Sequence, residues 1–229
     1  MEVAGKPNDR YSELKQGSPS ARLAAWMRRK MFAEFMRSAA PVPSDDALDV
    51  GATSDRSFAD SNYFEQYYPY KDRLIAVGYD DAGFLIDQYP GLQFVRADGC
   101  SLPFPPACFD IVHSGAVIEH VGDRARQKAF LGELIRVSRR AVFLTTPNRW
   151  FPIELHTQIP LLHWLPAAWY RRILRRIGKD FYADERNLNL LDQCALEGML
   201  RQFPGIEYRF VRMRLLGWCS NLLVVISKK

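Results

Sequence analysis

From Ala47 onward the chain alternates short apolar runs with longer amphipathic ones, and no other feature constrains its fold as strongly. Short apolar runs bounded by turn residues read as buried strands, and the periodic stretches between them as crossover helices, which together specify a parallel sheet. Strands are expected near 47–51, 74–79, 93–97, 109–114 and 140–146, with helices near 57–68, 81–88 and 123–138. The third of these helices begins at Asp123, a good capping residue, and turns Leu131, Leu134 and Ile135 inward. The tail differs. A helix near 192–203, with Leu196, Met199, Leu200 and Phe203 inward, leads to two β-rich runs, 206–214 and 218–227, whose connection through Gly217 is too short for a crossover helix. Those two runs must pair antiparallel, as a hairpin. At 229 residues, 48% hydrophobic and 25% charged, the composition excludes disorder and a pure coiled coil, and it suits one α/β domain with a decorated edge.

Upstream of this pattern, residues 1–17 read as a polar leader, and Ser18 caps a helix that has Pro19 at its first position. Leu23, Met27, Met31 and Phe35 recur every fourth residue, Trp26, Phe32 and Met36 widen the face, and Pro41-Val42-Pro43 ends it. Such a helix packs across the body as a lid or docking element, or lies on a membrane surface, and the sequence leaves both open. Charge is uneven: residues 21–40 carry +4 and residues 149–179 carry +5, within a formal net charge of +5 for the whole chain. Two basic, aromatic-containing patches on an acidic remainder would attract phosphate or an anionic surface, although solvated basic helix faces give the same pattern. The leader lacks an apolar signal core, and no apolar stretch reaches the ~18 residues of a membrane span, so neither export nor insertion is expected. Cys100, Cys108, Cys194 and Cys219 include no CxxC pair, which points away from a zinc site or disulfide framework and toward reduced thiols in the cytoplasm.

In an open α/β sheet, ligands bind beyond the carboxyl ends of the strands, at the switch point beside the first. The first such loop is Leu48-Asp49-Val50-Gly51-Ala52-Thr53-Ser54-Asp55, in which Gly51 permits close backbone approach and Ser54 or Asp55 can open the next helix. It lacks the later glycines of GxGxxG, and its carboxylates would repel a pyrophosphate, so a dinucleotide is disfavoured. Asp80, after the second strand, can accept from two ribose hydroxyls at once. Asp98, after the third, can accept from an exocyclic amine beside an adenine walled by Leu102 or Phe104. Each acid alone reads as a cap or turn residue; three such loops after three strands read as a nucleoside site.

The series LDVGATSD, AVGYDD, ADGCSLPFPPACFDIVHSGAVIEHV and RRAVFLTTPNRWFP resembles the class I S-adenosylmethionine-dependent methyltransferases, in particular the type 11-like group that acts on small molecules, quinones, lipids and sugars. The resemblance covers roughly residues 44–150, the spacing from LPFPPACFDIV to IEHV is its most specific part, and the terminal hairpin fits as well. It implies a Rossmann-like methyltransferase fold: a mostly parallel seven-stranded sheet with an antiparallel C-terminal hairpin and helices on both faces. It also implies a methyltransferase domain over 44–229, preceded by the leader and helix of 1–43, with an acceptor-side insertion at about 147–190. S-adenosylmethionine is the implied cofactor, with Asp49 and Gly51 at its methionine and ribose end, Asp80 on the ribose, and Asp98 and Gly99 at adenine. His113, Ser114 and Gly115 would border the methyl-donor region. Thr53 stands where the group has a second glycine, and Asp55 where another often lies. S-adenosylmethionine needs no full nest of amides, and Asp55 could meet its positive charge; the alternative is a non-catalytic relative serving as a binding or assembly subunit.

Methyl transfer from a sulfonium is an in-line displacement, so the protein has to align the acceptor and exclude water. An oxygen acceptor also needs a base. His156, in the insertion after the fifth strand, and His120, beside Glu119, are the candidates, with His163 a third; no metal-ligand set can be assigned. Between Thr146 and Pro166 the insertion is rich in aromatics and prolines and reads as a shaped loop. A helix from Pro166 to Gly178 then sets Trp169, Ile173 and Ile177 in one stripe beside Arg171, Arg172, Arg175 and Arg176. Apolar walls with a cationic rim suit a small, sugar-linked or lipid-linked acceptor, and ordinary packing with solvated arginines gives the same pattern. No nucleic-acid module is recognisable, and contact with the inner face of a membrane stays open.

Overall fold

A computed structural model describes residues 17–56 and 60–228. Helix α1, Pro19–Ala39, opens with Ser18 accepting a hydrogen bond from the Ala21 amide at 3.1 Å, and it stops at Ala40, whose left-handed backbone bonds back to Met36 before the prolines. The strands follow as β1 (Ala47–Val50), β2 (Leu74–Gly78), β3 (Gln93–Arg96), β4 (Phe109–Gly115), β5 (Ser138–Pro147), β6 (Ile206–Leu215) and β7 (Trp218–Lys228). Between and after them come α2 (Tyr63–Tyr67), α3 (Phe84–Gln88), α4 (Arg124–Val137), α5 (Ala167–Arg176), α6 (Asp180–Ala183) and α7 (Gln193–Leu200).

The seven strands form one sheet in the order β3-β2-β1-β4-β5-β7-β6. β1 to β5 pair in parallel, while β7 runs antiparallel between β5 and β6. The hairpin turn is Leu216-Gly217, both with positive φ (50° and 85°), as a tight two-residue connection requires. Alternation along the strands divides the core. Leu48, Val50, Val112, Val142 and Leu144 face α4 and α7, where Phe130, Leu131, Leu134 and Leu196 are fully buried. Ala47, Ala76, Ile111 and Phe143 face α1, α2 and α3.

Three expectations change. Helix α2 spans only Tyr63–Tyr67, with Asn62 before it and residues 57–59 outside the described residues, so neither Ser54 nor Asp55 opens it. Helix α3 starts at Phe84 because Asp81 accepts from the Gly83 amide at 2.9 Å and holds a turn there. Helix α5 buries Tyr170 and Leu174 against Tyr182, Ala183 and Leu188, leaving Trp169 and Ile177 exposed at 59% and 51%. The apolar stripe read from spacing is therefore the outer face of that helix. Met27, Met31 and Phe35 of α1 are buried, whereas Leu23 and Trp26 are exposed, so α1 is docked on the sheet by its second half. No helix among the described residues is long and apolar enough to cross a membrane.

Candidate functional site

Gly51 leaves β1 with φ +129°, and its amide and that of Ala52 both donate to the Val77 carbonyl, at 2.8 and 3.0 Å. A β-carbon on Gly51 would lie 2.1 Å from Val117, and one on Gly78 would lie 2.6 Å from the Ala52 carbonyl oxygen. The ends of β1 and β2 are thus in backbone contact, and only glycine fits at either. Thr53 has a local task in place of the missing glycine. Its amide donates to Asn62 at 2.9 Å, its carbonyl accepts from the Asn62 amide group at 3.0 Å, and its hydroxyl accepts from the Asp55 amide at 3.1 Å. Asn62, unremarked in the sequence, is therefore the clamp that shapes this loop. Helix α1 adds Arg28, whose guanidinium is held below its ordinary pKa by burial, in the field of Tyr63, Asp60 and Asp55.

Asp80 follows β2 and is 8% exposed. Asp98, after β3, accepts from the Cys100 amide and from Arg126, both at 2.8 Å. Burial pushes its carboxyl up, but Arg126 and the Cys100 amide outweigh that and hold it below the usual carboxylate range. Gly99 lies against the core, where a β-carbon would stand 2.5 Å from the Phe130 ring.

Asp49, His113 and Ser114 turn their side chains into the fold. His113 is stacked 3.9 Å from the Phe64 ring, its Nδ1 is hydrogen-bonded to Asp49, and Tyr63 lies 3.3 Å from its Nε2. Ser114 donates to the Val50 carbonyl at 2.8 Å. Burial raises Asp49 to about 7, places Glu65 well above the carboxylate range, and lowers His113 to about 3, so Glu65 and His113 favour their neutral forms. Of this trio from the end of β4, Gly115 alone lacks a side chain and brings bare backbone to the strand end, where a β-carbon would meet the Tyr63 hydroxyl at 2.9 Å.

A second polar cluster stands where β4 and β5 give out. The 3₁₀ turn Ile118–His120 follows β4, and the insertion returns to it, with the Asn189 amide donating to the Glu119 carbonyl at 2.7 Å. Glu119 is fully buried, and its Oε2 accepts from Thr146 of β5 at 2.9 Å. The His120 and His156 rings meet edge to face at 4.7 Å. His120 Nδ1 bonds to the Asn187 carbonyl at 2.7 Å, and His156 Nδ1 bonds to Glu154 at 2.6 Å. Glu154 also accepts from the amides of His156 and Thr157, at 2.9 and 2.6 Å. Burial raises Glu119 to about 7 and lowers His120 to about 3, while Glu154 holds His156 above its ordinary pKa against burial. His163 lies apart, bonded to the Phe151 carbonyl at 2.8 Å. The two histidines singled out from sequence thus lie in one cluster, and Glu119, read there only as the neighbour of His120, and Glu154 are its buried acids.

A separate groove of about 620 Å³ is lined by Trp150, Trp218, Arg212, Arg214, Asp192 and Glu197. Its rim is mixed in charge, with Arg212 and Arg214 against Asp192 and Glu197, and it lies between the β5 exit, α7 and the terminal hairpin, away from the α5 arginines.

Residues 70–145 match the family model described as "Methyltransferase domain". No curated protein matches the sequence. Among solved structures, magnesium protoporphyrin IX methyltransferase from Synechocystis PCC 6803, with bound SAH, is 12% identical at a TM-score of 0.58, covering 95% of this chain and 90% of its own. The PH0226 protein of Pyrococcus horikoshii OT3 is also 12% identical at 0.58, covering 96% of this chain and 95% of its own. A SAM-dependent methyltransferase from Archaeoglobus fulgidus is 14% identical at 0.54, covering 88% and 94%. At these identities the structural likeness speaks for the fold, which is that of the methyltransferases just named, and the family match identifies the stretch from β2 into β5 as resembling a methyltransferase domain.

Proposed function

We propose that the chain transfers a methyl group from S-adenosylmethionine to an oxygen of a small, sugar-linked or lipid-linked acceptor. The observation that carries this reading is the Glu119, His120, His156 and Glu154 cluster at the carboxyl ends of β4 and β5, beyond the same sheet edge as the Asp80 and Asp98 loops. The donor set fits the cofactor. Asp80 offers carboxylate oxygens to ribose hydroxyls, Gly51 and Gly78 bring bare backbone to the switch point, and Asp55 offers negative charge near the methionine end. When bound, the cofactor supplies an electrophilic methyl on a sulfonium.

The remaining work belongs to the protein. An acceptor hydroxyl has to lose its proton as the oxygen attacks, and the His156 ring, with Nδ1 tied to Glu154, has Nε2 as the nitrogen available for it. The buried strap of Asn187 and Asn189 holds the cluster in place, through the Asn187 carbonyl on His120 and the Asn189 amide on the Glu119 carbonyl.

Calorimetric titration with S-adenosylmethionine and S-adenosylhomocysteine tests the cofactor half. The wild-type protein is expected to bind both, and Asp80→Ala to weaken binding about 10- to 100-fold, the loss of a charged acceptor shared by two hydroxyls. Asp98→Ala is expected to cost less, because Arg126 and the Cys100 amide already share that carboxylate. No binding by folded wild-type protein would overturn the reading in favour of a non-catalytic binding or assembly subunit.

The exposed face of α5 favours delivery of the acceptor from an anionic lipid surface, since Trp169 and Ile177 stand out of the fold beside the exposed Arg172, Arg175 and Arg176. Cosedimentation with vesicles of phosphatidylcholine and phosphatidylglycerol is expected to show binding that falls with added salt and drops several-fold in Trp169→Ala. Equal failure to bind at low and high salt would remove the membrane from the account.

A further inference from the structure

We infer that Glu119, His120 and His156 hold a divalent first-row transition-metal ion. One ligand atom from each lies within 4.8 Å of the others, the one such set of His, Cys, Asp and Glu side chains among the described residues. Two imidazoles and one carboxylate form a donor set suited to zinc, manganese, iron or cobalt, and three protein ligands leave coordination positions open.

Three observations point to a cation rather than to a packed polar core. The Glu119 side chain is fully buried, yet its Oε1 has no hydrogen-bond partner among the described residues, while Oε2 is held by Thr146. An orphaned carboxylate oxygen at that depth is costly unless a positive group faces it. Each histidine has Nδ1 tied to an acceptor, His120 to the Asn187 carbonyl and His156 to Glu154, so Nε2 is the ring nitrogen each can offer an ion once deprotonated, and that of His120 lies 3.9 Å from Glu119 Oε1. Metal-bound histidines are oriented in this manner, with a carbonyl or carboxylate behind the ring. Glu154 is itself fixed by two backbone amides, so it serves as a positioning residue behind His156 rather than as a ligand.

The inference deepens the proposed acceptor site. It rests on that reading only for the role of the ion: with His156 Nε2 engaged as a ligand, the ion would take the place of the free ring in favouring the deprotonated acceptor oxygen. Ion binding itself can be measured with neither cofactor nor acceptor present, so the two readings fail separately. The experiment uses the full chain stripped with a chelator, dialysed against ZnCl2, MnCl2 or CoCl2, and analysed for metal content, with CoCl2 also followed by its visible absorption. The wild type is expected to retain one ion per chain and to give cobalt d–d bands shifted from those of the aqueous ion. His120→Ala and His156→Ala are expected to lose affinity about 100-fold or more, and Glu154→Gln about 10- to 100-fold. Should either alanine variant fail to fold by circular dichroism, Glu119→Gln, which keeps the side-chain shape and the Thr146 contact, carries the test and is expected to remove the cobalt bands. Folded wild-type protein that retains none of the three ions, or binding undiminished in the folded variants, would overturn the assignment.

Discussion

Truncating Phe35 to alanine is expected to destabilise the protein by about 3–5 kcal/mol, the range for emptying a fully buried aromatic site. Its ring is 0% exposed and lies 4.9 Å from Phe64, 5.4 Å from Phe143 and 5.7 Å from His113, so one residue of α1 touches α2, β5 and β4 together. At this chain length such a loss lowers the melting temperature by about 10 °C, readable by calorimetry. Trp26→Ala is the comparison within the same helix; at 44% exposure it is expected to change stability by less than about 1 kcal/mol. Equal effects from the two would mean that α1 is not docked through its second half.

The second large effect is expected at Gly51. Alanine there has to adopt φ +129°, which L-residues rarely enter, and its methyl meets Val117 at 2.1 Å. Backbone strain of about 1–3 kcal/mol adds to the steric cost, and the amides that tie β1 to Val77 shift with it. Gly51→Ala is expected to abolish measurable S-adenosylmethionine binding and to destabilise the fold. Adding Val117→Ala relieves the collision but leaves the dihedral strain, so stability is expected to recover in part. Full recovery of both stability and binding in the double variant would show that sterics alone made glycine necessary.

The sheet could be read from sequence because its signal is local. Val50, Val77, Val112 and Val142 sit in short apolar runs bounded by turn residues, and each run became a strand within a few residues of its expected place. Side-chain direction was harder to read. Asp49 and His113 sit on strand ends where ligands are expected, but strand alternation turns both toward α1 and α2, into a buried group with Tyr63 and Glu65. Nothing near Asp49 in the sequence announces Glu65, which comes from a different element. The cluster of Glu119, His120, Glu154 and His156 was visible only in pieces. Glu119 and His120 lie 34 residues or more from Glu154 and His156, and the distance is closed by an insertion with no periodicity to read. Helix α5 misled for a different reason: Trp169, Ile173 and Ile177 do lie at helical spacing, but Tyr170 and Leu174 find a hydrophobic partner in α6 and the segment after it.

The position of β7 bears on how the chain is made. Residues 218–228 are added after all the other strands, yet they lie between β5 and β6 in the finished sheet. Until they emerge from the ribosome, β5 presents an apolar open edge, Val142 to Thr146, with no neighbour on that side. A chain that lacks residues 218–228 is therefore expected to expose this edge to pairing with other chains, and to aggregate more than the full chain in a light-scattering assay.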